Sequence, residues 1–262
     1  MVENVLITGA SKGIGKAIAE LLVNNNFNVY GTTRNLAQLT EKNDKVKYLQ
    51  LDLSDEQSIR ACVDKIETID ILINNAGQSQ IAAFEEVPMD KLRALFEINY
   101  FGMATLTQLL LPKLKKSKHP KIINIGSMIG TFPLPFYSSY GATKACTQTM
   151  TYCLRHELKA FGIQVCIVEP NDIKTTITPD FLFVNGSEYH NDLVKMRDSV
   201  KSKMEKAHDP VCVSTLILKL IKKQKLKSRY IVGGMGGVFV FFKRFVPDSL
   251  VEYTVRKMYN LK

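Results

Sequence analysis

The sequence predicts an α/β fold: a doubly wound parallel sheet of about seven strands with helices on both faces. Three observations carry this. Short apolar runs alternate with amphipathic stretches from one end of the chain to the other. A glycine-rich turn joins the first strand to the first helix. No internal repeat, Pro/Ser-rich linker or low-complexity tract breaks the pattern, so the 262 residues are expected to form one domain.

The elements follow in order. Val5-Leu6-Ile7 is a buried strand that ends at Thr8-Gly9, and residues 15–23 carry Ile18, Leu21 and Leu22 at helical spacing. Residues 28–32, 46–51 and 69–73 form the next three strands, and Ser54-Asp55-Glu56-Gln57 has the pattern of a capping box opening a helix. One helix is expected over 89–115, with a small-residue patch at Gly102-Met103-Ala104. Residues 122–125 are the fifth strand. Residues 140–161 form a long helix closed by Gly162 as C-cap. The sixth strand is 164–168, stopped by Pro170, and Tyr230-Ile231-Val232 is the seventh. Strictly alternating elements of this kind build parallel sheets through helical crossovers.

The charge balance is +10, from 35 basic and 25 acidic residues. Between Lys195 and Arg229 there are eleven basic and three acidic residues. The plain reading is a solvated helix face; an anionic substrate or an acidic membrane surface is the sharper one. No nucleic-acid motif accompanies the charge, which argues against DNA or RNA as a partner. Cys62, Cys146, Cys153, Cys166 and Cys212 are odd in number and include no CxxC pair, so no disulfide framework is expected and a reducing, cytoplasmic setting is favoured. The four histidines share no metal-ligand spacing, and no metal is expected. The first strand begins so close to Met1 that no signal peptide is expected. The longest apolar run, 231–242, has 12 residues and four glycines, short of the roughly 20 that a membrane span needs. A soluble, or at most peripheral, protein is expected.

Thr8-Gly9-Ala10-Ser11-Lys12-Gly13-Ile14-Gly15 has the features of a phosphate-binding turn. Its glycines permit a sharp bend and close approach to a pyrophosphate, and the following helix offers unpaired N–H groups. It is not a nucleoside-triphosphate loop, because the glycine spacing differs and Lys16 is followed by Ala17 rather than a hydroxyl residue. At the end of the second strand, where a carboxylate would bind the 2′-OH of NAD, the chain has Thr32-Thr33-Arg34. Arg34 and Lys12 suit a 2′-phosphate, so NADP(H) is favoured over NAD(H).

The turn from Thr8 to Gly15 resembles the TGxxxGxG motif of the short-chain dehydrogenases/reductases, and further motifs of that family follow in order. Asp52-Leu53 resembles its adenine-contacting pair. Asn74-Asn75-Ala76-Gly77 is similar to its NNAG motif, and Asn99 to its helix asparagine. Ser127 and Tyr140-Gly141-Ala142-Thr143-Lys144 are similar to its catalytic serine and YxxxK motif. These motifs span about residues 1–175. The resemblance implies a compact single-domain Rossmann-fold oxidoreductase. It implies cofactor contacts from Gly9, Ser11, Lys12, Gly13, Ile14, Gly15, Arg34, Asp52, Leu53, Asn74, Ala76 and Gly77. Tyr140, Lys144, Pro170, Asn171, Ile173 and Thr175 complete that set. One departure is Asn171, where the family often has glycine after the proline; asparagine tolerates left-handed backbone better than most residues.

Carbonyl reduction needs a hydride, which nicotinamide carries, and a proton. A free phenol, with a pKa of about 10, is a poor neutral-pH catalyst. Lys144, one helical turn after Tyr140, is expected to lower that pKa. Ser127 is expected to hydrogen-bond the substrate oxygen. The resemblance gives Asn99 a water that links Lys144 to solvent.

Substrate should bind outside the carboxyl ends of the strands. The rim there is apolar, and Ser127, Met128, Phe132, Tyr137 and Phe181 are the candidate substrate residues, with 176–210 as a lid. An extension, 234–262, carries Phe239, Phe241, Phe242 and Phe245 around Lys243-Arg244, and Pro247-Asp248 opens another helix. It resembles members that act on steroids, retinoids or lipids. It leaves three roles open: covering the pocket, a peripheral membrane contact or a subunit contact. The long helices resemble the family's pairing surface, implying a homodimer or homotetramer. The expected function is interconversion of a hydrophobic alcohol and its ketone or aldehyde, in the reductive direction. A non-catalytic NADP-binding regulator and a peripheral membrane protein on the same fold are the alternatives.

Overall fold

The computed structural model describes residues 2–174, 179–234, 240 and 245–259. Seven parallel strands form the central sheet: β1 (Asn4–Ile7), β2 (Asn28–Thr33), β3 (Val46–Gln50), β4 (Ile71–Asn74), β6 (Lys121–Ile125), β7 (Gln164–Pro170) and β9 (Arg229–Val232). They lie in the order β3-β2-β1-β4-β6-β7-β9. Two further strands, β5 (Gln80–Ile81) and β8 (Asp180–Phe181), pair in parallel as a separate ribbon.

The period-two pattern of the strands sorts the core into two layers. Val5, Ile7, Ile71, Ile73, Ile123 and Val168 face one side. There they pack with Ile18 and Leu22 of α1 (Gly13–Val23) and with Val213 and Ile217 of α7 (Val211–Lys222). Leu6, Leu72, Ile122 and Val165 face the other. Their partners include Cys62 of α2 (Glu56–Asp64) and Leu106, Leu110 and Leu114 of α4 (Gly102–Leu114). Strands covered on both faces read as nearly continuous apolar runs, which is why they are visible in the sequence. Truncating one fully buried side chain, such as Leu6→Ala, costs about 2–5 kcal/mol at sites of this type.

Three local expectations are corrected. The helix expected over 89–115 is not continuous. It consists of α3 (Met89–Phe96), a turn widened to π-helical geometry at Glu97–Phe101, and α4. The α2 cap is Asp55, which accepts from the Gln57 amide at 2.9 Å, and not Ser54. The Ser54 hydroxyl donates to Asp52 instead, at 2.6 Å. After β7 the left-handed residue is Asp172, with φ of 45°, and not Asn171.

The long helix α5 (Ser138–Glu157) ends in a 3-10 turn, and Gly162 beyond it adopts a φ of 70°. All five cysteines are free thiols. The helices α6 (His190–Glu205) and α8 (Asp248–Met258) complete the described elements. None of the described helices is long and apolar enough to cross a membrane.

Candidate active site

The strand order reverses between β1 and β4, and a ligand crevice opens at such a switch point. A cleft of about 1590 Å³ lies there, lined by Gly9 after β1, Thr33 of β2, Leu51 after β3, Asn75 after β4, Gly126 after β6 and Pro170 of β7. The glycine turn forms its floor. Gly9 and Gly13 take φ values of 68° and 57°, which favour glycine. A Cβ on Gly15 would lie 2.2 Å from the Gly9 carbonyl oxygen and 2.5 Å from Nδ2 of Asn75. The side chain of Lys12, at the start of α1, makes no capping hydrogen bond. The first-turn N–H groups are left for an anion, so the turn fits a dinucleotide pyrophosphate.

Gly9, Ser11, Lys12, Ile14, Arg34, Asp52, Leu53, Ala76 and Gly77 all line the cleft, as do Pro170, Asn171 and Ile173. Gly13 and Gly15 do not; they shape the turn from behind. Asn74 does not either. Its amide donates to Thr107 Oγ1 at 3.1 Å and Asn124 Oδ1 at 2.9 Å, tying β4 to α4 and β6 beneath the cleft. The cleft-lining member of that pair is Asn75, whose amide donates to the Thr8 carbonyl at 2.8 Å and the Gly9 carbonyl at 3.2 Å, bracing the turn. Lys12 and Arg34 are exposed at the nucleotide end. Burial acts to raise the Asp52 carboxyl pKa, but donors from Ser54 and the charge of Arg34 bring it below its ordinary value. Thr175 lies outside the described residues.

Ser127, Tyr140 and Lys144 meet on one wall of this cleft. Ser127 follows β6, and its Oγ accepts from the Ile129 amide at 3.3 Å. That leaves its proton free to point at the neighbouring Tyr140 phenol, whose pKa Ser127 acts to lower. The Lys144 ammonium donates to the Ile125 carbonyl at 3.1 Å and stands 5.8 Å from the centre of the Tyr140 ring. Asn99 sits behind this wall, off the cleft, in the widened turn. Its Oδ1 accepts from the Gln78 amide at 2.8 Å, and its Nδ2 donates to the Gln78 carbonyl at 2.8 Å and to Thr143 Oγ1 at 3.1 Å. The Thr143 hydroxyl in turn donates to the Tyr140 carbonyl at 2.8 Å. Such π turns are frequent at functional sites. A Cβ on Gly77 would lie 3.1 Å from Asn99 Oδ1 and 3.6 Å from Lys144 Nζ, so glycine keeps that approach open.

The expected acidification of Tyr140 is not what the protein alone produces. Tyr140 keeps some exposed surface toward the cleft, but its phenol oxygen is enclosed by protein, and burial pushes its pKa up to about 12 despite Ser127. Burial also pulls Lys144 down to about 8. Desolvation opposes the charged form of each group and is the leading cause of both shifts. The protein holds a protonated phenol beside an ammonium whose proton is easily lost.

At the substrate end, Met128, Phe132 and Tyr137 line the cleft with Leu134. Phe181 does not. It pairs through β8 with β5 and packs on the satellite cluster of Ile81, Leu193 and Met196, stacked on Phe183 at 6.1 Å. Phe136, in the same rim loop as Tyr137, has a φ of 65°, rare for a bulky residue and of the kind that collects at functional sites. Of the extension, Phe239, Phe241, Phe242, Lys243 and Arg244 lie outside the described residues, and Phe245 is exposed. The helix opened by Asp248 does form. Leu250, Val251, Thr254, Val255 and Met258 of α8 and the following Tyr259 line the cleft. They face Val200, Lys203 and Met204 of α6, which line it too. This helix therefore forms part of the cleft wall. The sequence offered a place over the pocket as one of three roles, and the motifs, which end far upstream, could not choose among them.

A sequence profile described as short chain dehydrogenase matches residues 3–182, and the chain belongs to that family. It is thus an oxidoreductase acting on CH–OH or carbonyl groups. It is 29% identical to a 3-ketodihydrosphingosine reductase of Bacteroides thetaiotaomicron over 98% of both chains. It is 28% identical to an NADPH-dependent 3-dehydrocapnine reductase of Ornithobacterium rhinotracheale over 94% of both. Among solved structures, a short-chain dehydrogenase from Streptomyces avermitilis superposes with a TM-score of 0.83 at 30% identity, covering 98% of this chain and 96% of that one.

Proposed function

We propose that the chain reduces the carbonyl of a hydrophobic, lipid-like ketone or aldehyde, with NADPH as cofactor. The observation that carries this reading is the enclosed Tyr140 phenol, held protonated beside Ser127, on the wall of a cleft with a cationic nucleotide end and an apolar far end. A nicotinamide dinucleotide, when bound, supplies the hydride. The turn from Gly9 to Ile14 would hold its pyrophosphate, with Asp52 and Leu53 toward the adenine, and Ala76, Gly77, Pro170, Asn171 and Ile173 toward the nicotinamide half.

The residues of the chain supply the rest. Tyr140 Oη gives its proton to the substrate oxygen as negative charge develops there. The phenol stays protonated across neutral pH, so its proton is present when a carbonyl is to be reduced. Ser127 donates to the same oxygen and stabilises it. Lys144 stabilises the phenolate left behind and can return a proton to it. Asn99 positions this wall through Thr143 and the Gln78 backbone.

Arg34 and Lys12, with no carboxylate at the end of β2, support NADP(H) over NAD(H). Two relatives are named as reductases of a 3-keto or 3-dehydro compound, one of them NADPH-dependent, which supports both parts of the reading. The test is oxidation of NADPH, followed by its near-ultraviolet absorbance, against a panel of long-chain ketones and aldehydes. Turnover with NADPH preferred over NADH is expected. Absence of turnover with every member, together with absence of NADPH binding, removes the proposal.

A further inference from the structure

Among the described residues the cleft carries four cations on its walls, and three have an assigned place. Lys12 and Arg34 lie at the nucleotide end and Lys144 beside Tyr140. The fourth, Lys203 of α6, lines the end of the cleft walled by α6 and α8, an annex whose apolar lining includes Val200, Met204, Leu250 and Val251; Asp172 and Asp180 line the same cleft. No carboxylate among the described residues forms an ion pair with it. Its partners are neutral: its Nζ donates to Tyr259 Oη at 2.6 Å, lies 3.7 Å from Met258 Sδ, and sits 4.2 Å from the centre of the Tyr259 ring. Tyr259 is only 5% exposed, so the pair is built into the wall and not draped over it. A small recess of about 240 Å³ adjoins the same point, lined by Lys203, Lys206 and His208 with one carboxylate, Asp172.

A half-buried ammonium whose partners among the described residues are neutral, at one end of an apolar annex, suits the docking of an anion. The annex leads back to the reacting wall through Tyr137, whose ring centre is 6.2 Å from that of Tyr140. We infer that Lys203, oriented by Tyr259, is a specificity-determining anchor for an anionic headgroup on the substrate, a carboxylate, sulfonate or phosphate carried by a long apolar chain. The inference rests on the reductase reading for its substrate, but the anchor is measurable without turnover. Lys203 touches the headgroup; Tyr259 is a positioning residue.

The test compares binding of a long-chain fatty carboxylate with that of the primary alcohol of equal chain length, by calorimetry on NADP-loaded protein, wild type and Lys203→Gln. In the wild type the carboxylate is expected to bind about 10- to 100-fold more tightly than the alcohol, the range of a charge-assisted hydrogen bond. Lys203→Gln is expected to abolish that difference, and its residual alcohol binding reports that the variant is folded. Tyr259→Phe, which leaves the ammonium free to wander, is expected to reduce the difference by less. Equal affinities in the wild type, an advantage that survives Lys203→Gln, or failure of both ligands to bind would each overturn the anchor. The two readings separate cleanly. Carboxylate preference without any NADPH turnover keeps the anchor and removes the reductase, and turnover without carboxylate preference does the reverse.

Discussion

At the residue scale, the balance of charge and burial around Tyr140 and Lys144 governs the chemistry. A lysine pulled down to about 8 loses its proton just above neutrality. The rate of carbonyl reduction is therefore expected to hold through neutral pH and to fall as pH rises past about 8, the point at which the ammonium beside the phenol becomes a neutral amine. The same shift has a stability consequence. Below about pH 8 both folded and unfolded chains hold the Lys144 proton, and the folded chain bears the cost of a buried charge. Between about 8 and the ordinary lysine value of 10.5 the unfolded chain binds more protons, so folding stability from this group rises with pH. Urea unfolding of the wild type and Lys144→Met across that window should show the wild type gaining on the variant as pH rises; a constant gap contradicts the shift. Cofactor choice is also set by single residues. Arg34→Glu should lower the ratio of NADPH to NADH affinity by about 10-fold or more, as loss of a charge-assisted phosphate contact does. An unchanged ratio in direct titrations would place the 2′-phosphate elsewhere.

At the element scale, the site depends on backbone arrangements that a residue pattern shows only in part. The seven sheet strands were legible, because strands covered on both faces leave apolar runs with glycine or proline at their ends. The glycine turn, Ser127, Tyr140 and Lys144 were legible because their spacing is local. The widened turn at 97–101 was not: its side chains read as ordinary helix, and within it Asn99 bonds to Gln78 and Thr143. Nor could the sequence say which asparagine of Asn74-Asn75 faces the ligand. Alternation along a strand sends one under the sheet and the next to the cleft, and the register at a strand end is set by its neighbours. The enclosure of the Tyr140 phenol was not legible either, because spacing gives proximity and not burial. Gly102 ties two elements together, since a Cβ there would lie 1.9 Å from the Leu53 carbonyl oxygen. Gly102→Ala should destabilise the fold by roughly 1–3 kcal/mol through overpacking and weaken NADPH binding by displacing Leu53. Unchanged denaturant unfolding in that variant would contradict this packing.

At the scale of the whole molecule, the cleft is assembled from segments far apart in sequence: the glycine turn at one end of the chain, the Tyr140 helix in the middle, and α6 and α8 toward the other end. Cofactor binding and substrate binding are therefore separable. Val251→Asp puts a charge on the apolar wall of the annex, and should raise the KM for a long-chain ketone roughly 10-fold with NADPH affinity retained. The account as a whole depends on proton donation by one phenol inside this cleft, and Tyr140→Phe tests it most directly, because it removes a single oxygen and leaves the ring in place. With a ketone that the wild type reduces, turnover should fall about 10²- to 10⁴-fold while NADPH affinity is unchanged. Turnover within a few-fold of the wild type, with the same cofactor affinity, would contradict it.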